Sequence, residues 1–331
     1  MTTIQTKIQN ALMRATHVLA ITHVGPDGDA LGSLTAVGQA MQQLGKRVTL
    51  VCDDGSLNRF KYLALSDRIQ TERESNIPYD LLFVVDCGDE TRMGKAFTTL
   101  PNPKPFIINV DHHITNTLFG DINLVDPEAT STTEILYSLF ADLGISLTTD
   151  LALSLLTGLV TDTLGFRTVG VTARTMKIAS NLMEVGADLS LVTMQGLNSK
   201  PFATLQMWRT GLNKTRLESG LIWTSISKRD LGAIHYTSSG SAGLVNLLAN
   251  VDEAVMSAVL MEMQDGSIRV GLRCRPPYSV SELAVNLGGG GHPLAAGCTL
   301  DGPLARAESL VVDMCKEMIQ QQSSPLHDRS R

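Results

Sequence analysis

The chain has 331 residues, of which 43% are hydrophobic and 18% charged. That length exceeds one ordinary core and suits two domains of about 100–200 residues each, and so much apolar material argues against disorder. A formal net charge of -6 gives a polyanion no general attraction, so any nucleic acid has to be held in a local pocket, which favours small substrates over long duplexes.

Cysteine usage points the same way as composition. Cys52, Cys87, Cys274, Cys298 and Cys315 are scattered without a C-x-x-C pair, so neither a disulfide framework nor a zinc knuckle is implied, and a reducing cytoplasm fits. The apolar run at 18–24 is broken by Thr22 and His23, unlike a secretory leader. The longest later apolar run, 151–160, falls well short of the roughly 20 residues that span a bilayer. A soluble, unexported protein with no membrane partner is expected.

In chain order, the spacing predicts an amphipathic helix at 3–14, a strand at 18–22, a helix at 30–44, and strands at 48–52, 81–86 and 106–110. Helices follow at 132–143, 151–163 and 173–185. The strands are short apolar runs without alternation, as in parallel sheets buried on both faces. A composition shift at 187–201 marks a linker, and a bridging helix at 202–214 leads into a second domain. There, strands are expected at 221–227, 254–262 and 267–273, and helices at 240–249 and 279–287. The tail, 321–331, is polar and expected to fray. The expected fold class is α/β, with a helix-flanked parallel sheet over 1–186 and a smaller α/β domain over 215–320.

Ligands of open α/β sheets bind at the carboxyl ends of the strands, and acidic and histidine residues collect there. The segment THVGPDGDALGS places His23, Asp27 and Asp29 together on a Gly/Pro-rich turn after the first strand. Singly, each is an ordinary turn residue; jointly they can converge on a cation. Carboxylates mixed with imidazole suit manganese, magnesium or iron better than thiolate-preferring zinc sites. Asp86 follows LLFVV, where an unpaired carboxylate is costly, although a capping role is the plain alternative. Asp111, His112 and His113 follow the fourth strand and could also form a polar edge. Asp162 interrupts an apolar helix, so it needs a partner.

Taken in this order and spacing, H-x-x-x-D-x-D, VVD, VDHH and GLVTD resemble the signature motifs of the DHH phosphoesterase family over residues 15–185. The resemblance implies that His23, Asp27 and Asp86 hold one divalent ion, that Asp29, Asp86, His112 and Asp162 hold a second, and that Asp86 bridges. Manganese is the expected ion, with magnesium or cobalt as alternatives. Two such cations about 3.5–4 Å apart can activate water and neutralise phosphoryl oxygens during in-line displacement. If the backbone is extended, His113 alternates away from His112 and is free to address the phosphate. His113 is therefore assigned to leaving-group protonation or transition-state stabilisation, and Asp111 to orienting one of the histidine ligands of the metals, without a choice between them.

The run NLGGGGHPLAAG carries four glycines, Gly288 to Gly291, and then His292. It reads as a phosphate cradle, with a flexible hinge as the alternative. It resembles the glycine-rich loop of the DHHA1 domain over 215–320, which implies that Gly289, Gly290, Gly291 and His292 hold the non-scissile part of a substrate. In IRVGLRCR, Arg273 matches a basic residue ahead of that loop, although Gly271 and Cys274 stand where small hydroxyl residues are expected. Ser131, in PEATSTTE, either contacts a phosphate or caps the next helix.

The resemblance implies a hydrolase for short oligoribonucleotides, for 3′-phosphoadenosine 5′-phosphate (PAP), or for both, yielding mononucleotides. A cyclic- or linear-dinucleotide phosphodiesterase is the enzymatic alternative, and a nucleotide-sensing module the non-enzymatic one. A processive exonuclease is disfavoured because a basic track is missing, and a family pyrophosphatase is disfavoured by GGGGH. Homodimerisation is left open.

Overall fold

A computed structural model describes residues 3–238 and 240–323, apart from the side chain of Ser323. The chain divides into two compact units between Ser199 and Lys200.

In the first unit, β1 (His17–Ile21), β2 (Arg47–Val51), β3 (Ile69–Gln70), β4 (Leu81–Val85), β5 (Phe106–Asp111) and β6 (Ile122–Val125) form one sheet, ordered β3-β2-β1-β4-β5-β6. All five pairings are parallel. β1 and β4 are buried at every position, because alternate residues enter opposite cores. Val18, Ala20, Phe83 and Val85 join one cluster, and Leu19, Ile21, Leu82 and Val84 the other. The helices are α1 (Thr3–Arg14), α2 (Gly28–Gln43), α3 (Lys95–Thr98), α4 (Thr132–Asp142), α5 (Thr149–Asp162), α6 (Ala173–Glu184) and α7 (Leu189–Val192). A π-helical stretch, Thr193–Asn198, continues α7, so much of the segment read as linker is helical. The short strands β3 and β6 were not anticipated.

Chain order reverses between β1 and β4, and that switch point opens a crevice at the carboxyl ends of the strands. Helices α2 and α5 approach closely beside it. A Cβ on Gly32 would stand 2.6 Å from the Ser154 carbonyl, and one on Gly158 would collide with the Asp29 carboxylate and Thr133. Glycine is needed at both positions by proximity alone. Thr35 and Gln39 each bond the Ser154 hydroxyl at 3.0 Å, which ties the two helices together through buried polar groups.

The second unit contains α8 (Phe202–Asn213), α9 (Lys228–Ala233), α10 (Leu244–Leu248), α11 (Ser281–Asn286) and α12 (Leu304–Ser323). Its strands are β7 (Arg216–Glu218), β8 (Leu221–Ile226), β9 (Met256–Glu262), β10 (Ser267–Cys274), β11 (Gly290–His292) and β12 (Ala295–Asp301), ordered β11-β12-β10-β9-β8-β7. Only β8 and β9 pair in parallel. α11 and α12 cover one face. α8, α9 and α10 cover β8 and β9 on the other. The glycine run, expected as a loop, is in part the edge strand β11. Residues 321–323 extend α12, and the remainder of the expected frayed tail lies outside the described residues. Among the described residues no helix is long and apolar enough to cross a membrane.

Candidate metal centre

The chain leaves β1 through His23 and turns at Asp27, which caps α2 by accepting 3.0 Å hydrogen bonds at Oδ1 from the Asp29 and Ala30 amides. Asp29, in the first turn of α2, is 1% exposed. Its carboxylate meets the start of α4, accepting from the Thr132 amide (2.6 Å), the Thr133 amide (3.1 Å) and the Thr133 hydroxyl (2.9 Å). A helix N-terminus favours negative charge there. Asp86 is the first residue past β4 and adopts φ +55°, a backbone strain of order 1–3 kcal/mol for a non-glycine residue. The ladder holds it there through its amide, which donates to the Val110 carbonyl at 3.0 Å.

The side chains from these turns converge on Asp86. Its Oδ2 lies 3.5 Å from His23 Nε2, and its Oδ1 lies 3.8 Å from His112 Nε2 and accepts from the Thr132 hydroxyl at 3.0 Å. His112 Nε2 is also 3.3 Å from Asp162 Oδ2, at the carboxyl end of α5. Three overlapping groups have ligand atoms within 4.8 Å of one another: His23, Asp27 and Asp86; Asp29, His112 and Asp162; and Asp86, His112 and His113. The structure thus brings together every candidate metal ligand identified in the sequence.

Backbone contacts set the two imidazoles. His23 Nδ1 is 2.9 Å from the Val24 carbonyl and His112 Nδ1 is 3.4 Å from the Ala129 carbonyl. With the proton on Nδ1, His112 turns a bare Nε2 towards the carboxylates, as a metal-ligating histidine must, and the His23 ring likewise points its Nε2 at Asp86. The Arg92 guanidinium lies beside His23 Nδ1 at 3.2 Å.

Electrostatics show what this crowding costs. Burial, followed by the nearby Asp86 charge, pushes the Asp29 carboxyl up to about 7. Burial and the charges of Asp29, Asp27 and Asp86 raise Asp162 well above the usual carboxylate range. Asp86 goes the opposite way. Burial opposes its charge, but the hydrogen bond and charge of His23, with the charges of His112 and His113, hold it far below the ordinary value. Buried acids that resist ionisation together are a site that a cation would relieve. The donors are oxygen and imidazole nitrogen, which suits hard or borderline divalent ions. Burial raises the nearby thiols of Cys52 and Cys87 to about 11 and about 12, so neither offers a thiolate.

Two expectations change. β5 ends at Asp111, so His112 and His113 do not alternate as strand residues. Their rings lie 4.7 Å apart, and His113 Nδ1 is 3.8 Å from Asp86 Oδ1. Asp111 orients His113 rather than His112, with Oδ1 2.7 Å from Nδ1, while its Oδ2 accepts from Asn116 at 2.6 Å. Ser131 is 0% exposed and caps α4 by accepting from the Glu134 amide at 3.1 Å, so it presents no surface to a phosphate. The residues that sequence reasoning passed over are its neighbours Thr132 and Thr133, which hold Asp86 and Asp29. The cap signal in PEATSTTE located the helix end but not the carboxylates attached to it.

In the second unit, Arg273 on β10 stands opposite Ala295 on β12, which stands opposite His292 on β11. Directly paired residues share a face, so these form one row. The parallel row Gly271, Gly297, Gly290 leaves a strip free of side chains beside it. Gly290, Gly291 and His292 are exposed, whereas Arg273 is half-buried and donates to the Leu272 carbonyl at 2.8 Å. Cys274 faces the opposite core, bonded to the Tyr278 and Pro293 carbonyls, so it does not flank Arg273 on its face.

Comparison with known proteins agrees with this division. The DHH family N-terminal domain matches residues 17–159 and the DHHA1 domain matches residues 233–321. The bifunctional oligoribonuclease and PAP phosphatase NrnA of Thermus thermophilus is 32% identical over 298 residues, covering 89% of this chain and 88% of that protein. The Bacillus subtilis protein of the same name is 26% identical, covering 89% and 93%. An exopolyphosphatase-related protein from Bacteroides fragilis shares the fold, with a TM-score of 0.86 over 98% of both chains at 22% identity. On its sequence matches and its paired α/β units, the chain belongs to the DHH family, with a DHHA1 domain following the DHH domain.

Proposed function

We propose that this protein is a manganese-dependent phosphoesterase that hydrolyses short oligoribonucleotides, PAP, or both, to mononucleotides. One observation carries the reading: four carboxylates and two Nε2-presenting imidazoles converge at the switch point of a parallel sheet, in a chain whose relatives are oligoribonucleases and PAP phosphatases. Its free cysteines suit a reducing cytoplasm.

His23, Asp27 and Asp86 would hold one ion and Asp29, His112 and Asp162 a second. Asp86 would be shared, since its two oxygens face His23 and His112 separately. Bound divalent ions would favour attack by water on phosphorus and neutralise the phosphoryl oxygens. His113 is held by Asp111 through Nδ1, and although burial disfavours the imidazolium, Asp111 and Asp86 raise its pKa. It would then donate a proton to the leaving oxygen. Arg273, His292 and the backbone of Gly289, Gly290 and Gly291 would hold a phosphate remote from the cleaved bond, in keeping with small substrates.

The test is to strip the protein with a chelator, restore manganese, and follow mononucleotide release from a 5′-phosphorylated dinucleotide and from PAP. Release of neither, with metal bound, would overturn the reading in favour of a nucleotide sensor.

A further inference from the structure

Arg59 lies in a single 3-10 turn, Asn58–Phe60, that is pinned to the helices of the metal centre. Phe60 is fully buried with Leu31 of α2 and Leu63. The Tyr62 hydroxyl is 3.0 Å from the Thr157 hydroxyl of α5. α2 is capped by Asp27 and carries Asp29, and α5 ends at Asp162, so the turn is fixed against the helices that carry or are capped by three of the candidate ligands.

The arginine itself is unneutralised. Its guanidinium lies over the Phe60 ring, 4.8 Å from the centroid, a cation–π contact that favours this placement. Its Nε is buried and makes no hydrogen bond, and among the described residues no carboxylate forms an ion pair with it. Burial lowers its pKa, and the nearby Asp27 carboxylate and Tyr62 partly offset this. Through Phe60, packed on Leu31 two residues past Asp29, the turn sits against the start of α2, and among the described residues Arg59 makes no ion pair with Asp27. The acidic residues at the end of β2 do not serve it either: Asp53 accepts from the Lys95 and Ala96 amides, and Asp54 from the Gly25 amide.

We propose that Arg59 binds a non-bridging oxygen of the substrate's reacting phosphate on the Asp27 side of the metal centre, an inference that rests on the phosphoesterase reading above. A guanidinium held over an aromatic ring can offer its planar fork of donors to such an oxygen and stabilise its growing charge. Its role differs from that given to Arg273, which concerns a phosphate remote from the cleaved bond.

The experiment compares wild type with Arg59→Ala, Arg59→Gln and Arg59→Lys. Calorimetry measures manganese affinity and then AMP affinity of the manganese-loaded protein, and kinetics follow a 5′-phosphorylated dinucleotide and bis-p-nitrophenyl phosphate. In Arg59→Ala and Arg59→Gln, manganese affinity should stay within about twofold while kcat/KM falls about a hundredfold on both substrates and AMP binds about tenfold more weakly. Arg59→Lys should recover part of the loss. A parallel fall in manganese affinity would make Arg59 a support for Asp27 and overturn the proposal, as would unchanged kinetics on both substrates. Failure of wild type to hydrolyse either substrate would instead remove the phosphoesterase reading, a separate outcome.

Discussion

Asp111 and His113 form a pair in which Oδ1 lies 2.7 Å from Nδ1, with the Asp111 carboxylate 0% exposed and the imidazole half-buried. This contact favours a proton on Nδ1 and, against the effect of burial, raises the His113 pKa. Replacing Asp111 with asparagine keeps the shape but removes the charge that favours the imidazolium. Because the proton donor must be protonated, Asp111→Asn should move the alkaline limb of the kcat profile to lower pH. It should also reduce kcat by about 10²-fold or more, with manganese stoichiometry unchanged. A pH–rate series with metal titration checks both; an unshifted limb would deny His113 the donor role.

Asp86→Ala removes the carboxylate that lies within 4 Å of three histidine nitrogens. Turnover should fall by roughly three orders of magnitude or more, since both halves of the centre lose a shared ligand. The measurement is activity of a variant whose circular dichroism matches wild type; retention of more than a few per cent of the rate would show that Asp86 does not bridge.

Metal affinity should depend on pH with a definite sign. The Asp29 carboxyl, raised to about 7 by burial and Asp86, holds a proton below that value and must lose it to bind a cation. Manganese affinity should therefore rise as pH increases through about 7, with proton release. Calorimetry in buffers of different ionisation enthalpy counts those protons, and pH-independent binding would contradict the assignment. Calcium, with its longer bonds and looser coordination, should restore chelated protein less well than manganese.

Arg273→Ala should raise KM for a dinucleotide or PAP by about ten- to a hundredfold with a smaller change in kcat, while bis-p-nitrophenyl phosphate, which has only the reacting phosphate, is little affected. Equal loss on both substrates would place Arg273 at the reacting phosphate.

Much of the first unit was legible because its determinants are local. Apolar runs such as LLFVV announce buried parallel strands, and the acidic and histidine residues follow them directly. Short edge strands such as β3 and β6 carry too few residues to register as a pattern. The pairing of Asp29 with Thr132 and Thr133 spans more than a hundred positions, and local spacing cannot reveal it. Ser131 was ambiguous for the converse reason: one motif serves a cap or a phosphate, and only burial decides. In the second unit, a glycine run looks the same whether it is a loop or, as at Gly290–His292, an edge strand. The Arg273–His292 row depends on register, which no single segment encodes.

The collision that any side chain at Gly158 would make with Asp29 has a broader meaning. The helix crossing is itself a wall of the proposed metal site, so on that reading steric fit and reactivity are one constraint at this position. A methyl group added there lies outside the donor set, yet it would displace a donor. A survey of tolerated substitutions should accordingly rank Gly158 with the acidic residues rather than with the interior packing positions around it. Sequence drift in α5 is thus restrained by events on α2.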